Sequence, residues 1–291
     1  ERKRIVNQRE LIQSKEALNW AAGTYVVAAL ESGKHVFCEK PPGRSIEEVL
    51  RVISQEQKNP QLKLMYGFNH RYHDSVRDAL SIVSSERFGK IINIRGVYGK
   101  SSIVSFESDW RTQRRLAGGG ILLDQGIHML DMMRMFVGEF QTVHSVVTND
   151  YWNHDVEDNA YALLRTAGGI VASLHSSATQ WRHTFRFEVG FETGLIELGG
   201  ILSGSKSYGD ETITIYDRAA SGSSLPATTT RYTEDNSWRD EIDEFAKAIA
   251  HDKEIITGSV EDALNTLRLV YQIYCADPNW RERFSIDCPE M

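Results

Sequence analysis

Nowhere in these 291 residues does an apolar run approach the roughly 18 positions a membrane helix needs. No secretory signal opens the chain, although a missing start would hide one. Cysteine is scarce. Cys38, Cys275 and Cys288 show no metal-binding spacing and no obvious pairing, which reads as a chain kept in a reducing cytoplasm. Basic charge is short as well: 33 Lys and Arg stand against 40 Asp and Glu, a net charge of −7. That argues against nucleic acid as a partner, which would call for a basic stripe. No internal repeat is visible. Asp124, His128 and Asp131 share a helical stripe, yet no His-x-x-x-His pair accompanies them, so no catalytic metal is expected. Gly200-Ile201-Leu202-Ser203-Gly204 has the wrong spacing for the strand–turn–helix elbow of a serine hydrolase.

What is present is ordinary in bulk and specific in detail. An apolar share of 41% and a charged share of 25% fit a globular chain, and the length suggests about two domains. The pattern changes character once. Residues 24–31 suit a helix, 35–38 and Leu62–Tyr66 short buried strands, and 74–84 another helix. Ser45 with Glu48 reads as a capping box. From Ile91 onward, alternation predicts strands, continuing at 142–149, 159–166, 169–177, 184–191, 194–198 and 212–216. Turn signals such as Ala167-Gly168-Gly169 suggest antiparallel hairpins. Amphipathic helices follow Ser237 and Ser259, and the Ser/Thr/Ala-rich stretch 219–230 reads as a surface loop. The fold class is therefore an α/β start followed by an α+β remainder on a large, mainly antiparallel sheet with helices on one face.

Two motifs carry the chemistry. Glu39-Lys40-Pro41 follows the apolar run His35-Val36-Phe37-Cys38, and functional groups gather at the carboxyl ends of strands in open α/β sheets. Gly118-Gly119-Gly120 precedes Ile121-Leu122-Leu123-Asp124-Gln125-Gly126-Ile127-His128, which places Asp124 and His128 four apart on one helix face. These residues, with Gly67-Phe68-Asn69-His70-Arg71-Tyr72, Asp109-Trp110-Arg111 and the run from Asp240 to Leu264, resemble the Gfo/Idh/MocA family of sugar and inositol oxidoreductases. The resemblance covers roughly residues 23 to 275. It implies a Rossmann-like nucleotide domain, here residues 1–69, then a substrate-binding, catalytic and oligomerisation domain, 70–291.

The departure is at the start. A Rossmann fingerprint requires Gly-x-Gly-x-x-Gly directly after a strand, and before Lys40 the chain has only Gly23 and Gly33. Residues 1–20 read instead as a charged helix with Ile5, Val6, Leu11, Ile12 and Leu18 as sparse apolar positions. A third to a half of the nucleotide domain is expected to be absent from the sequence, with a missing strand suspected near Ala21-Ala22-Gly23.

What the resemblance implies for function is an NAD- or NADP-dependent dehydrogenase acting on a secondary alcohol of a sugar, cyclitol or nucleotide-linked sugar. His128 suits the base because an imidazole titrates near working pH, Lys40 the oxygen-polarising cation. Asp124 would orient the imidazole or bind a substrate hydroxyl. Glu39, Lys40, Pro41 and Asn69 are the expected cofactor contacts. Expected substrate contacts are Arg71, Tyr72, Trp110, Arg111, Asp124, His128 and Trp181, with Arg182 and His183 alongside. Arg111, Arg114 and Arg115 hint at an anionic group on the ligand. The glycine triplet would let a ligand approach the backbone, or serve as a flexible joint. Two rivals stay open: NAD-dependent glycoside cleavage on the same frame, and a cofactor-free ligand-binding protein. Apolar groups on the uncovered sheet face predict a homodimer or homotetramer.

Overall fold

The computed structural model describes residues 6–7, 19–101, 110–203, 207–218 and 227–289. Two open sheets share one apolar core. The first is parallel, in the order β1 (Val6–Asn7), β2 (Val36–Glu39), β3 (Leu64–Gly67). The apolar runs at β2 and β3 are the composition such a sheet demands, because helices cover both faces. Helix α1 (Asn19–Glu31) leads into β2, and α2 (Ile46–Glu56) into β3. Ser45 caps α2 by accepting from the Glu48 amide at 3.4 Å. Glu48 does not complete the reciprocal box; its carboxylate turns to the Arg44 amide (2.8 Å) and guanidinium.

At Val6–Asn7 the chain departs from the helical reading; residues 1–5 and 8–18 lie outside the described residues. Val6–Asn7 pairs in parallel with Val36–Phe37, and α1 runs unbroken through Ala21-Ala22-Gly23, where a missing strand was suspected. Ile5, Leu11, Ile12 and Leu18 lie outside the described residues.

The second sheet has eight strands: β4 (Ile91–Ser101), β5 (Phe140–Thr148), β6 (Asn159–Thr166), β7 (Val171–Gln180), β8 (Thr184–Phe191), β9 (Gly194–Gly199), β10 (Glu211–Asp217) and β11 (Ala227–Tyr232). Their spatial order is β11-β10-β9-β8-β4-β7-β6-β5. Only the central β4–β7 pair is parallel among the described ladders of this sheet; the rest are antiparallel. Of the surface-loop reading of 219–230, strand β11 corrects 227–230, and 219–226 lie outside the described residues. Thr228, Thr229 and Thr230 are β-branched and pair with β10, although no apolar residue marks them as a strand.

Helices cover one face. Helix α3 (Asp74–Ser84) packs on β9 and β10, and the short α4 (Arg114–Ala117) lies against α1. Helix α5 (Ile127–Val137) lies on β4, where Gly96 makes the room: a Cβ there would fall 2.7 Å from Met129 and Met133. Helix α6 (Ser237–Ala250) packs through Phe245 on Phe37 and Met65 of the first sheet, while α7 (Val260–Ala276) lies on β5 and α5 with α8 (Pro278–Phe284) beside it. Because α8 turns the chain back, Cys288 returns to α7 and forms a disulfide with Cys275, Cα–Cα 5.8 Å. This corrects the reading of three unpaired cysteines; a separation of 13 residues carries no signature.

One buried polar network ties the sheets together. Arg71, in the 3₁₀ turn Asn69–Tyr72 after β3, grips Asp131 of α5 through two bonds of 2.6 Å and Asp262 of α7 at 2.8 Å. Thr266 donates to Asp131 and accepts from Arg134. Removing one partner of such a pair strands a buried charge. Asp131→Asn is expected to lower unfolding free energy by about 3–5 kcal/mol, read from urea denaturation; a loss below about 1 kcal/mol would show that the network does not bind the layers together.

Candidate active site

Lys40 stands at the carboxyl end of β2, and its peptide to Pro41 is cis. The ammonium reaches over to the second unit, donating to the Asp124 backbone carbonyl and lying 3.3 Å from Asp124 Oδ1. From the end of β4, Lys100 approaches the other carboxylate oxygen at 3.1 Å. Burial alone would raise the Asp124 carboxyl. The charges of Lys40, Lys100 and Arg111 overcome it and hold the group well below the usual carboxylate range. Asp124 is therefore an anion at any working pH.

Asp124 does not sit on a plain α-helix. Leu122–Gly126 is a π-helical turn that leads into α5, so the backbone widens between the aspartate and His128. His128 is buried, and its Nδ1 is sealed without a hydrogen-bond partner. A proton exchanged with a ligand must therefore use Nε2. Burial first, then the charges of Lys40 and His73, push the imidazole well below its ordinary value. It stays neutral at neutral pH, below the near-neutral titration the sequence suggested.

The glycine triplet has a packing cause. Gly118 has φ +88°, and a Cβ there would lie 2.8 Å from the Arg44 Cα. At Gly119 it would meet the Tyr274 hydroxyl at 2.3 Å, and at Gly120 the Glu157 carbonyl at 2.2 Å. Glu157 organises this corner. Its carboxylate is almost wholly buried and accepts from the amides of Gly120 (2.8 Å) and Leu122 (3.0 Å) and from the Tyr274 hydroxyl (2.6 Å). An anion at the first amides of a helical segment is favourable, and it fixes where Asp124 and His128 begin. Nothing in the sequence reading singled out Glu157; an acid ahead of a strand gives no local signal.

Other expected contacts sort differently. The Arg71 guanidinium is engaged by Asp131 and Asp262. Tyr72 is buried beneath the Arg77 guanidinium. Asn69 is buried too, its amide committed to His70 and Ser237. Arg111 stacks on Trp110, 4.4 Å from the ring, and contributes its charge to Asp124. Arg114 packs over Tyr274 and Phe284 and leaves the anion-binding trio incomplete; the Arg115 carbonyl accepts from Arg44. Trp181 is 86% exposed, held through its carbonyl by the Ser101 hydroxyl, with its ring in solvent. His183, beside it, meets Tyr208 edge-on at 4.9 Å.

Tyr208 belongs to a wall that the sequence reading missed. Its hydroxyl accepts from Gln125 at 2.8 Å, and its ring lies 5.2 Å from Tyr98. Tyr98 occupies an inward position on β4, so strand alternation carried that signal. Behind Glu39 lies Glu241 of α6, wholly buried. Burial, and then the Glu39 charge, push its carboxyl up to about 9.

Comparison with known proteins supplies the context. Residues 76–197 match the GFO/IDH/MocA C-terminal domain. Levoglucosan dehydrogenase of Pseudarthrobacter phenanthrenivorans is 30% identical over 176 residues, covering 52% of this chain and 45% of that protein. Inositol 2-dehydrogenase of Salmonella typhimurium is 27% identical over 196 residues, 64% of this chain and 54% of that protein. The chain thus spans about half the length of these curated relatives. Among solved structures, levoglucosan dehydrogenase in complex with NADH and L-sorbose superposes with a TM-score of 0.80 at 22% identity, covering 91% of this chain and 77% of that one, which shows the shared fold.

The buried acid gives a sign that can be checked. A carboxyl held near 9 in the fold and near 4.5 when unfolded binds its proton more tightly in the native state. Its unfavourable contribution is absent below the unfolded value and grows as pH rises toward 9. Glu241→Gln is expected to flatten the loss of thermal stability across that interval, measured as Tm against pH. A variant whose Tm falls with pH as steeply as the parent would place the charge elsewhere.

Proposed function

We propose that the chain is an NAD(P)-dependent dehydrogenase of the GFO/IDH/MocA kind, a reading supported by the match of residues 76–197 to that family's C-terminal domain. Its substrate would be a secondary alcohol of a sugar or cyclitol. The relatives named levoglucosan dehydrogenase and inositol 2-dehydrogenase support that class. The observation that carries the reading is the crossing of Lys40 from the first sheet to Asp124, one turn ahead of His128.

The donor set suits the reacting end of a dinucleotide. Glu39, Lys40 and Pro41 form the carboxyl edge of a central parallel strand, where such ligands bind. They would border the nicotinamide, which when bound supplies the hydride acceptor or donor. The phosphate end is a poorer fit, since no Gly-x-Gly-x-x-Gly precedes Lys40 in these 291 residues. Residues 1–69 would be the cofactor side and 70–291 the substrate side.

The roles follow from the electrostatics. Lys40 donates a hydrogen bond to the substrate oxygen and stabilises negative charge as the hydroxyl proton leaves. Asp124 keeps that ammonium in place. His128, neutral because buried, accepts the proton at Nε2. Lys100 and the Tyr98–Tyr208 wall border the same cleft and would shape what enters. Glycoside cleavage begun by transient oxidation would use the same groups without net reduction of the cofactor.

The far face of the eight-stranded sheet would join a second copy. Val146, Tyr161, Leu163 and Val171 are exposed there, flanked by Arg95, Arg186 and Glu188, with Tyr161 stacked on His175 at 4.0 Å. Burying these groups is favourable at about 25 cal/mol per Å².

Calorimetric titration with NADH and NADPH, then absorbance of the reduced nicotinamide with inositols and anhydrosugars, tests the activity. Binding without net turnover on any alcohol would favour glycoside cleavage, and no binding would favour a cofactor-free ligand-binding protein. His128→Ala is expected to lower turnover by about 10²–10⁴-fold. The acid limb of the rate profile should lie below the ordinary histidine value, and Lys40→Met should move it upward by removing a neighbouring charge. A limb that stays put would remove Lys40 from the site. Leu163→Asp should convert a dimer to a monomer in sedimentation velocity; an unchanged mass would clear this face of the contact.

A further inference from the structure

His70 and His128 lie face to face, ring centroids 3.9 Å apart and planes within 17°. Both are buried. The two nitrogens of His70 have different fates. Nδ1 is 3.2 Å from Asn69 Oδ1, while Nε2 is sealed without a partner. The hydrogen bonds beyond Asn69 decide which nitrogen carries the proton. Asp235 Oδ1 accepts from the Ser237 hydroxyl at 2.6 Å. That uses the only proton of the hydroxyl, so its oxygen accepts from Asn69 Nδ2 at 3.3 Å. The Asn69 carbonyl oxygen is then the atom facing His70, and Nδ1 must donate to it. The chain Asp235–Ser237–Asn69–His70 runs one way only.

We infer that His70 is a positioning residue for His128: a ring held in its Nδ1–H tautomer, which fixes the plane of the neighbouring imidazole and leaves Nε2 of His128 to the cleft. The significance for catalysis rests on the dehydrogenase reading; the stack itself does not. Two imidazoles at this spacing titrate as a coupled pair, so a charge on one opposes a charge on the other. Lys40 and His73 both oppose a positive charge on the stack. Lys40 presents its ammonium from the end of β2, and His73 stands 5.5 Å from His70 with its own Nδ1 held by Glu211 of β10 at 2.7 Å. Tyr98 of β4 and Phe185 of β8 close the side at 5.5 and 5.9 Å, and Phe68 meets His128 edge-on at 6.3 Å. Burial and the neighbouring His128, His73 and Lys40 push the His70 imidazole well below its ordinary value. With its Nδ1 sealed and no carboxylate on it, His128 lacks the orienting partner of a Ser-His-Asp triad. The flat face of His70 takes that place.

The test reads the nitrogens directly. Two-bond ¹H–¹⁵N correlation spectra of the ¹⁵N-histidine-labelled chain report each tautomer and titration between about pH 5 and about pH 9, with assignments from His70→Phe and His128→Gln. The expected spectrum shows His70 protonated at Nδ1, bare at Nε2 and not titrating over this range. Ser237→Ala should release the chain and give averaged nitrogens at His70. His70→Ala should raise the His128 midpoint by about one pH unit or more, whereas His70→Phe, which keeps a ring in the stack, should not. In active enzyme His70→Ala should lower kcat about tenfold with KM for the nucleotide unchanged, and His70→Phe should recover most of it. A His70 bare at Nδ1, one titrating near the free-histidine value, or a His128 midpoint indifferent to His70→Ala would overturn the inference. These spectra need neither cofactor nor substrate. The expected spectra from a chain inert toward nucleotides would uphold the stack and sink only the dehydrogenase reading.

Discussion

One carboxylate holds the site in register. Asp124 receives Lys40 from the first sheet and Lys100 from the second, and without that meeting point the two halves would present unrelated edges to a ligand. The pairing is neither a surface ion pair nor a sealed one, so its geometry rather than its bare strength matters. Lys40 is tethered twice, to the side chain and to the backbone carbonyl of the same residue. An ammonium pinned in this way cannot wander with its flexible stem.

The surrounding scaffold exists to keep that point still. Arg71 clamps α5 and α7 to the turn after β3, and Glu157 holds the amides that start the π turn. The glycines let Arg44, Tyr274 and Glu157 approach more closely than any side chain would allow. Several polar residues near the cleft thus serve the cleft at one remove. Their charges are spent on each other, which leaves few groups turned toward a ligand.

Much of this was legible in the sequence, for reasons that can be stated. Apolar runs at 35–38 and 62–66 pointed to the parallel strands found at 36–39 and 64–67, and alternation to most of the second sheet, because both patterns are imposed by burial. Asp124 and His128 stood out by spacing. Less visible were features that depend on distant partners. Arg71 and Tyr72 look like ligand contacts by position, but their partners Asp131, Asp262 and Arg77 lie on other elements. Thr228–Thr230 looked like loop because polar edge strands lack an apolar face. The Cys275–Cys288 bridge and the His70–His128 stack are products of tertiary folding alone.

The account rests on Lys40 and Asp124 acting as one unit, and a double-mutant cycle measures that directly. Urea unfolding of Lys40→Met, Asp124→Asn and the double variant isolates their coupling from the effects of each change alone. The structure predicts a coupling of about 0.5–3 kcal/mol in favour of the intact pair. Strictly additive losses would mean that the two side chains do not meet in solution, and the shared site would have no basis.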